Sequence, residues 1–291
     1  MQPPLLALLL LLPISTALPL LVGGEQQQQR FYIIRHADKY SSYPACPQGF
    51  PLCFNASLMG NNPPVTPCGV QQAQATAMWL TTASAKFGGI QQIVASPYVR
   101  SLETALPLAR QLSVQLHVDN FVSEARNGDG PFRPDNLGLN VSTRARLADI
   151  TSLWSPEYGS APIPVPEDDT GYTTRVKRGA ASLRQRWVGK GNVAIFTHAT
   201  TSFSIAYGLC YGEMATDASL QHFVVGQDAI GPGGVITVVL DASGACVRVE
   251  QTQNNVGAPA CGMTKSYKCA FVDFPSWYWQ HSEGRGPGKC S

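Results

Sequence analysis

Two histidines in the chain each come just after a short apolar run of the kind that forms a buried parallel strand. His36 follows residues 31–34, with Arg35 directly before it, and His198 comes just after residues 193–196. A neutral imidazole can attack phosphorus and carry the phosphoryl group as a covalent intermediate. A second imidazole can donate to the phosphoryl oxygens, and a guanidinium binds them in a fork. These residues predict a site for phosphoryl chemistry at the ends of two strands.

A second arginine lies where a helix is expected to begin. Arg100 belongs to the segment that starts with Ser96 and Pro97, after a third apolar run. Ser96 is predicted to cap the helix and Pro97 to be its first residue, with residues 98–111 helical up to a break near Pro107. Arg100 then lies in the first turn, where unpaired backbone N–H groups already favour an anion. This arginine is therefore a second candidate phosphate ligand.

Four motifs, which occur in the order expected for the family, resemble the histidine phosphatase superfamily, the family of phosphoglycerate mutases and many acid-type phosphatases. Residues 35–37 resemble its opening Arg-His-Gly/Ala motif, and residues 197–199 resemble its late Ser/Thr-His-Gly/Ala motif. Residues 96–105 resemble its Ser-Pro-x-x-Arg-Ala-x-x-Thr-Ala motif, with Ser101 where alanine is commoner. Residues 66–73 resemble its Leu-Thr-x-x-Gly-x-x-Gln-Ala element, which we expect to support the fold.

The resemblance, which spans about residues 31–249, also implies a general acid. In one branch of the family a glutamate from the middle of the chain protonates the leaving group, and Glu124 matches that element. The other large branch uses an aspartate directly after the late histidine, where this chain has Ala199. Glu124 is therefore the expected general acid, with Asp129 and Glu103 as the alternatives.

Strands that alternate with helices predict an α/β fold with a mostly parallel sheet. The resemblance implies three layers, with the central sheet covered by helices on both faces. Residues 40–67 are expected to form a long loop tied by cysteines, and residues 127–170 an insertion over the strand tips. The strands are predicted at residues 31–35, 93–95, 114–118, 193–196, 223–225, 235–240 and 247–250, and the helices at 70–83, 98–111, 142–153, 173–188 and 201–209.

Residues 1–17 have the features of a signal peptide, because a leucine-rich apolar stretch is followed by small residues. The alternative is an uncleaved membrane anchor, but its prolines make a poor span, so no stable membrane insertion is expected. All eight cysteines lie after this segment, which predicts disulfides whose connectivity the sequence leaves open. Glycosylation sequons begin at Asn55 and Asn140. We expect a secreted protein, with a domain at residues 24–250 and a Cys-rich tail at residues 251–291.

The composition argues against several other classes of protein. A net charge of +2 without any Lys/Arg-rich block argues against a nucleic-acid surface. With 44% hydrophobic and 14% charged residues, the chain can bury a core and is not disordered by composition. It contains no Cys-x-x-Cys or His-x-x-x-His pair, which argues against a zinc site. The oligomeric state stays open.

Together these features predict a secreted phosphomonoesterase that needs no metal and no cofactor. His36 would attack the phosphorus, and Glu124 would protonate the leaving oxygen. Arg35, Arg100 and His198 would bind and stabilise the phosphoryl group. Water would then hydrolyse the phosphohistidine, and the substrate would be a phosphorylated small molecule or a phosphopeptide. Two alternatives stay open: a phosphomutase, and a catalytically silent secreted binding protein of the same fold.

Overall fold

The apolar runs of the sequence form the strands of one seven-stranded sheet in the computed structural model. In chain order, all the described strands are β1 (Gln29–Arg35), β2 (Ser41–Tyr43), β3 (Cys53–Asn55), β4 (Ile90–Ala95), β5 (Leu116–Val118), β6 (Trp154–Ser155), β7 (Asn192–Thr197), β8 (Val235–Leu240) and β9 (Cys246–Gln253). Strands β2 and β3 form a separate two-stranded sheet, and the other seven form the large one. Across the sheet they follow the order β6-β5-β4-β7-β1-β8-β9. The first five of these run parallel, and β8 and β9 join the edge in antiparallel fashion.

The structure describes residues 28–39, 41–43, 53–55, 63–124, 154–155, 169–212 and 230–253. The predicted helix at 142–153 and the predicted strand at 223–225 lie outside these residues. Several other predicted features also lie outside them. These are the signal segment, the sequon at Asn140, the part of the first sequon after Asn55, Asp129 and the tail from residue 254 onwards. Each of the other predicted strands and helices is present in the described part of the chain, with somewhat different bounds.

Four helices of the described residues cover the two faces of the sheet. They are α1 (Pro67–Ala85), α2 (Val99–Leu112), α3 (Asp169–Trp187) and α4 (Ala199–Tyr211). Helices α1 and α2 pack over one apolar cluster, and α3 and α4 pack over another on the opposite face. The predicted three-layer α/β fold with a mostly parallel sheet is therefore confirmed.

Strand β1 lies inside the sheet and contributes to both apolar clusters. Phe31 and Ile33 pack with α3 and α4, whereas Tyr32 and Ile34 pack with α1 and α2. Successive side chains of a strand point to opposite faces, so a strand covered on both faces needs a continuous apolar run. This requirement explains why the run before Arg35 has no polar alternation.

The pairing of β1 with β7 brings both histidines to one edge of the sheet. Arg35 lies opposite Thr197 in the parallel register. His36 and His198 are the next residues of their chains, and parallel strands end at the same edge. Strand β4 pairs with β7 on its other side and ends at Ala95, so the segment leading to α2 starts at this edge too. The site therefore forms where three parallel strands end.

The start of α2 differs from the prediction. The helix begins at Val99 with Tyr98 at the cap position, so Ser96 is not the cap and Pro97 is not the first helical residue. The Ser96 hydroxyl instead lies 2.9 Å from Nε2 of His198. The same hydroxyl also accepts from the backbone N–H of Tyr98 at 3.4 Å, a local contact that serine often makes just before a helix.

Pro107 does not break α2, contrary to the prediction, because the helix continues past it to Leu112. A proline inside a helix costs about 3 kcal/mol, since it removes a backbone hydrogen bond and clashes with the preceding turn. The neighbouring Leu106 and Leu108 are buried in the cluster under the sheet. Burial of each such leucine contributes roughly 1.5–3 kcal/mol, so tertiary packing outweighs the local preference.

The segment between β1 and α1 is more regular than the predicted long loop. Strands β2 and β3 pair in parallel there, and strands of three residues are too short to show a periodic pattern. Helix α1 begins at Pro67, three residues before its predicted start, because the Thr66 side chain accepts from the N–H of Gly69 at 3.0 Å. Proline at the first helical position and a threonine cap are both favourable at a helix start.

Disulfides are present among the described residues, as expected. One bond joins Cys210 at the end of α4 to Cys246 at the start of β9. Cys68, in the first turn of α1, is also disulfide-bonded. Among the helices that the structure describes, none has both the length and the apolar character needed to cross a membrane.

Candidate active site

His36 lies directly after β1, and one contact fixes the roles of its ring nitrogens. Nδ1 lies 2.7 Å from the carbonyl oxygen of Ala37. Because a carbonyl can only accept, Nδ1 must carry the proton, and Nε2 keeps its lone pair. The residue is only 4% exposed. A neutral imidazole with an unprotonated Nε2 is the form that can attack phosphorus.

Three neutral acceptors fix residues 36–38, here called the histidine loop. The backbone N–H groups of these residues donate in chain order to the Thr197 carbonyl (2.8 Å), the Thr104 hydroxyl (2.9 Å) and the Gln72 side-chain carbonyl (2.7 Å). These acceptors come from three different elements, β7, α2 and α1. A displacement at phosphorus depends on the position of the nucleophile, and this support from three elements supplies it.

Arg100 lies in the first turn of α2, as predicted, and is 2% exposed. Its Nη2 donates to Oε2 of Glu124. The guanidinium carbon also lies 4.3 Å from the centre of the Tyr98 ring, a cation–π contact that restricts the side chain. The guanidinium and the backbone N–H groups at the start of α2 together favour an anion at this position.

Two further cations belong to the same region. Arg35 is oriented by the chain before β8, because its Nη1 donates to the carbonyl of Ile230 at 2.6 Å. Burial lowers the pKa of the Lys39 ammonium, and repulsion by Arg100 adds to this effect while Glu124 opposes it. Lys39 therefore shares the electrostatic environment of the site. Sequence reasoning did not select it, although a lysine three residues after the histidine is a visible signal.

His198 lies at the cap position of α4 and faces the first histidine. Its ring centre is 5.2 Å from that of His36, with the rings edge to face. Its Nε2 lies 2.9 Å from the Ser96 hydroxyl and 3.5 Å from the Ser101 hydroxyl, while Nδ1 lies 3.4 Å from Oε2 of Glu124. The 3.4 Å contact with Glu124 is not a hydrogen bond, and a hydroxyl can either donate to Nε2 or accept from it, so these contacts are compatible with either neutral tautomer of His198.

The surroundings of both histidines favour their neutral forms. Burial lowers the pKa of His36 well below its usual value, and the charges of Arg100 and Arg35 lower it further. Burial likewise lowers the pKa of His198, followed by the charge of Arg100 and the neighbouring His36. An unperturbed histidine has a pKa of about 6.5, so both imidazoles are neutral at pH 7. His36 then has the neutral form that an attack on phosphorus would need, and His198 can donate through one ring nitrogen.

Glu124 is brought to the site as predicted, next to Arg100 and His198. Its side chain is 41% exposed, in contrast to the buried arginine and histidines around it. A general acid must recover a proton from water in each turnover, and partial exposure permits this. The position of Glu124 thus fits the role of proton donor to a leaving group.

The alternative acids are less well placed or not described. Oε2 of Glu103 accepts from the N–H of Val65 at 2.8 Å, and the residue is buried. Glu103 therefore holds the chain before α1 and is occupied by that contact. Asp129 lies outside the described residues. Of the acids that the structure describes in this region, Glu124 is the one that contacts both a phosphate-binding candidate and a histidine.

Two supporting residues were not identified from the sequence. Gln72 belongs to the element that was expected only to support the fold, yet its side chain holds the N–H of Asp38 in the histidine loop. Arg175 of α3 donates to the backbone around Glu124. The Gln72 contact could have been suspected from its motif, whereas an arginine in a helix with many basic residues gives no such signal.

The positive charge of the site comes from side chains of this chain, chiefly Arg35, Arg100 and Lys39. Within the residues that the structure describes, no group of three or more His, Cys, Asp or Glu side chains could hold a metal ion. The three cationic side chains can orient and stabilise a phosphoryl group.

The sequence model of the histidine phosphatase superfamily (branch 1) matches residues 31–224, which is more than half of the chain. The match includes His36, Arg100, Glu124 and His198. A comparison with curated proteins finds no match.

Similar solved structures include three phosphatases. Ecdysone phosphate phosphatase from Bombix mori, in complex with tungstate, is 18% identical, with 62% of this chain and 77% of that chain covered and a TM-score of 0.46. A mycobacterial glucosyl-3-phosphoglycerate phosphatase is 16% identical, with 78% and 99% covered and a TM-score of 0.47. The α-ribazole phosphatase from Shigella flexneri is 16% identical, with 75% and 93% covered and a TM-score of 0.46. At these low scores, the assignment to a family depends on the sequence match alone.

Proposed function

The chain belongs to the histidine phosphatase superfamily, a family of phosphatases and phosphotransferases, and from this premise we propose that it is a phosphomonoesterase. The observation that carries the proposal is the hydrogen bond of His36 Nδ1 to the Ala37 carbonyl. This bond leaves a lone pair on Nε2 of a buried neutral ring, beside two arginines. That arrangement has a clear use in attack on a phosphate ester.

The first step transfers the phosphoryl group to His36. The Nε2 lone pair forms a bond to phosphorus as the bond from phosphorus to the ester oxygen breaks. The departing electron pair goes to that oxygen, which takes the proton of the Glu124 carboxyl. Arg35, Arg100 and His198 bind the other phosphoryl oxygens and stabilise the charge that develops on them.

The second step transfers the group to water. The Glu124 carboxylate takes a proton from water, whose oxygen bonds to phosphorus while the bond to Nε2 breaks. Inorganic phosphate and neutral His36 result. The partial exposure of Glu124 supports hydrolysis over phosphomutase transfer, because water reaches the group that must activate it. The substrate class is a phosphorylated small molecule or a phosphopeptide.

Secretion is part of the proposal. It is supported by the signal-like segment, the two sequons and the disulfide between Cys210 and Cys246, since such bonds persist in oxidising compartments. N-terminal sequencing of the protein exported by cells should find a start near residue 18, and thiol titration should find few free thiols. A start at Met1 together with eight titratable thiols would contradict secretion.

The test of the phosphatase proposal is the covalent intermediate. The wild-type protein should hydrolyse at least one compound in a screen of phosphorylated metabolites, phosphopeptides and inositol phosphates. Rapid acid-free quenching with labelled substrate should then trap a phosphoenzyme that is stable in base and labile in acid. His36→Ala should lose this species and at least about 10⁴-fold in turnover.

The matched control is His117→Ala, which removes a histidine on β5 whose ring packs against Trp187 instead of the site. This variant should keep both the phosphoenzyme and the turnover. A wild-type protein that binds phosphate esters but turns none over would favour the silent binding protein. Transfer of label to a second sugar or acid phosphate acceptor, faster than to water, would favour the phosphomutase.

A further inference from the structure

The backbone that carries Glu124 has an unusual set of hydrogen bonds. Residues 120–124, here called the glutamate segment, present their carbonyl groups to donors from three other elements. Arg175 of α3 donates through Nη1 to the carbonyls of residues 120, 121 and 123 at 3.3, 3.1 and 2.9 Å, and through Nη2 to that of Glu124 at 3.1 Å. One guanidinium therefore contacts four of the five carbonyls.

Two threonines complete the support. The Thr197 hydroxyl donates to the carbonyl of Val122 at 2.5 Å, and the Thr201 hydroxyl donates to that of Ser123 at 3.2 Å. Every carbonyl of the glutamate segment thus accepts from a side chain. Thr197 also supplies its own carbonyl to the histidine loop, so the two parts of the site share one strand end.

Close packing of α3 makes these bonds possible. Arg175 is 6% exposed, so its bonds form away from solvent. Gly179 follows it by one helical turn on the same face. A Cβ atom at Gly179 would lie 2.6 Å from the Cβ of Phe121. Because glycine has no side chain there, α3 approaches the glutamate segment closely enough for the guanidinium to reach its carbonyls.

We propose that Arg175 is a positioning residue that keeps the Glu124 carboxyl beside the leaving oxygen when substrate is bound. The inference rests on the proposed function, in which Glu124 is the proton donor. In the free protein Glu124 has two anchors, since Arg100 contacts its carboxylate and Arg175 its backbone. A bound phosphate competes for Arg100, which releases the carboxylate. The backbone anchor then fixes the direction from which the acid approaches.

This role predicts a selective kinetic defect. A p-nitrophenolate leaves without protonation, whereas an alkoxide needs the proton, so loss of acid positioning affects alkyl phosphates only. A displacement of about 1 Å at a reacting group can cost on the order of 10²-fold in rate. Arg175→Gln should therefore lower kcat/KM by about 10- to 100-fold for the best alkyl phosphate of the substrate screen, and by less than about threefold for p-nitrophenyl phosphate.

A control variant and a double-mutant cycle of Arg175 and Glu124 separate the positioning of the acid from general effects of a lost charge. Arg178→Gln removes the same charge from an exposed position of α3 and should leave kcat/KM unchanged for both substrates. The double variant Arg175→Gln/Glu124→Gln should be no slower on the alkyl phosphate than Glu124→Gln alone, because there is no acid left to position. Arg175→Lys, which keeps the charge with fewer donors in a fixed fork, should fall between wild type and Arg175→Gln.

A second variant covers the case in which Arg175→Gln does not fold. Gly179→Ala keeps every donor and favours the helix by up to ~1 kcal/mol, yet its methyl group must displace Phe121. It should show the same selectivity for alkyl phosphates. Equal losses on both substrates in Arg175→Gln and Gly179→Ala, while Glu124→Gln stays selective, would overturn the inference and leave the proposed function intact. Equal losses in Glu124→Gln would instead overturn its premise.

Discussion

The histidine loop and the glutamate segment lie at the same edge of the sheet but are held in opposite ways. The loop donates its backbone N–H groups to three neutral acceptors from three elements. The segment accepts through its carbonyl groups, and four of those bonds come from the single charged side chain of Arg175. His36 and Ala37 of the loop are buried, whereas the Glu124 side chain is 41% exposed.

The backbone of one region is therefore held by several independent hydrogen-bond partners, and that of the other chiefly by one side chain. Loss of one neutral acceptor leaves the histidine loop with two others, so each acceptor contributes a limited share. Loss of Arg175 removes most of the side-chain support of the glutamate segment at once. Under the proposed mechanism, substrates should also respond differently to the two losses, because every phosphate ester would need the nucleophile and only those with poor leaving groups would need the acid.

The largest effect that tests this comparison is expected from Glu124→Gln. Proton donation by a positioned acid contributes ~10²–10⁴-fold, so hydrolysis of an alkyl phosphate should fall by that factor. Hydrolysis of p-nitrophenyl phosphate should fall by less than about tenfold, because that leaving group needs no proton. Steady-state kinetics on the two substrates is the measurement. Equal losses would assign Glu124 a binding role and direct attention to Asp129.

A smaller and unselective effect is expected from Thr104→Val, which removes one acceptor of the histidine loop without changing the side-chain shape. The unpaired N–H of Ala37 costs about 1–3 kcal/mol, so turnover should fall by roughly 5- to 160-fold. The loss should be equal for alkyl and nitrophenyl phosphates, since both need the nucleophile. Thr82→Val, at an exposed hydroxyl on α1, is the control and should be silent. A selective loss in Thr104→Val would contradict the division into two supports.

The buried histidines should also make the folded state sensitive to acid. Their pKa values are lowered by burial, so below pH 6.5 the unfolded chain binds protons that the folded protein does not. Stability then falls as pH drops, by at most about 1.4 kcal/mol per pH unit for each histidine, while above pH 6.5 neither contributes. Urea unfolding between pH 4 and pH 8 measures this slope, and His36→Gln should reduce it. An unchanged slope in that variant would show that other groups cause the acid sensitivity.

The smallest effect is expected at His198, which lies beside both His36 and Glu124. Ser101→Ala removes the more distant of the two hydroxyls near His198 Nε2, and Ser96 remains at 2.9 Å. One weak hydrogen bond contributes about 0.5–1.5 kcal/mol, so kcat should fall by about two- to tenfold with little change in KM. Ser96→Ala should lower kcat by a larger factor than Ser101→Ala, because its hydroxyl is the closer of the two. A larger loss in Ser101→Ala than in Ser96→Ala would reverse the assignment of the two hydroxyls.

The strands and the order of the site residues could be predicted because buried parallel strands require continuous apolar runs. The runs before His36 and before Thr197 contain no polar alternation, and each ends at a residue that could do chemistry. Parallel strands end at the same edge, so motifs that follow them must meet there. This reasoning placed Arg100 and His198 near His36 without knowledge of the contacts.

The errors and omissions have a common physical origin in contacts between distant residues. Pro107 was expected to break α2, but burial of its neighbours outweighs the local cost. Ser96 was expected to cap that helix, but its hydroxyl lies beside His198. Arg175 was overlooked because its partners are backbone carbonyls, which leave no trace in the sequence. Local patterns predict elements, whereas tertiary contacts decide how element ends are used.

The position of β1 between β7 and β8 determines when the central sheet can form during synthesis on the ribosome. Phe31 pairs with Val193, and Ile34 pairs with Val235. At a synthesis rate of ~5–20 residues per second, the first strand waits roughly 10–40 s before its neighbours have been made. Pairing over such long stretches of chain is slow to nucleate. His36 is thus translated long before the two strands that flank β1, and its surroundings can form only after β7 and β8 have been made.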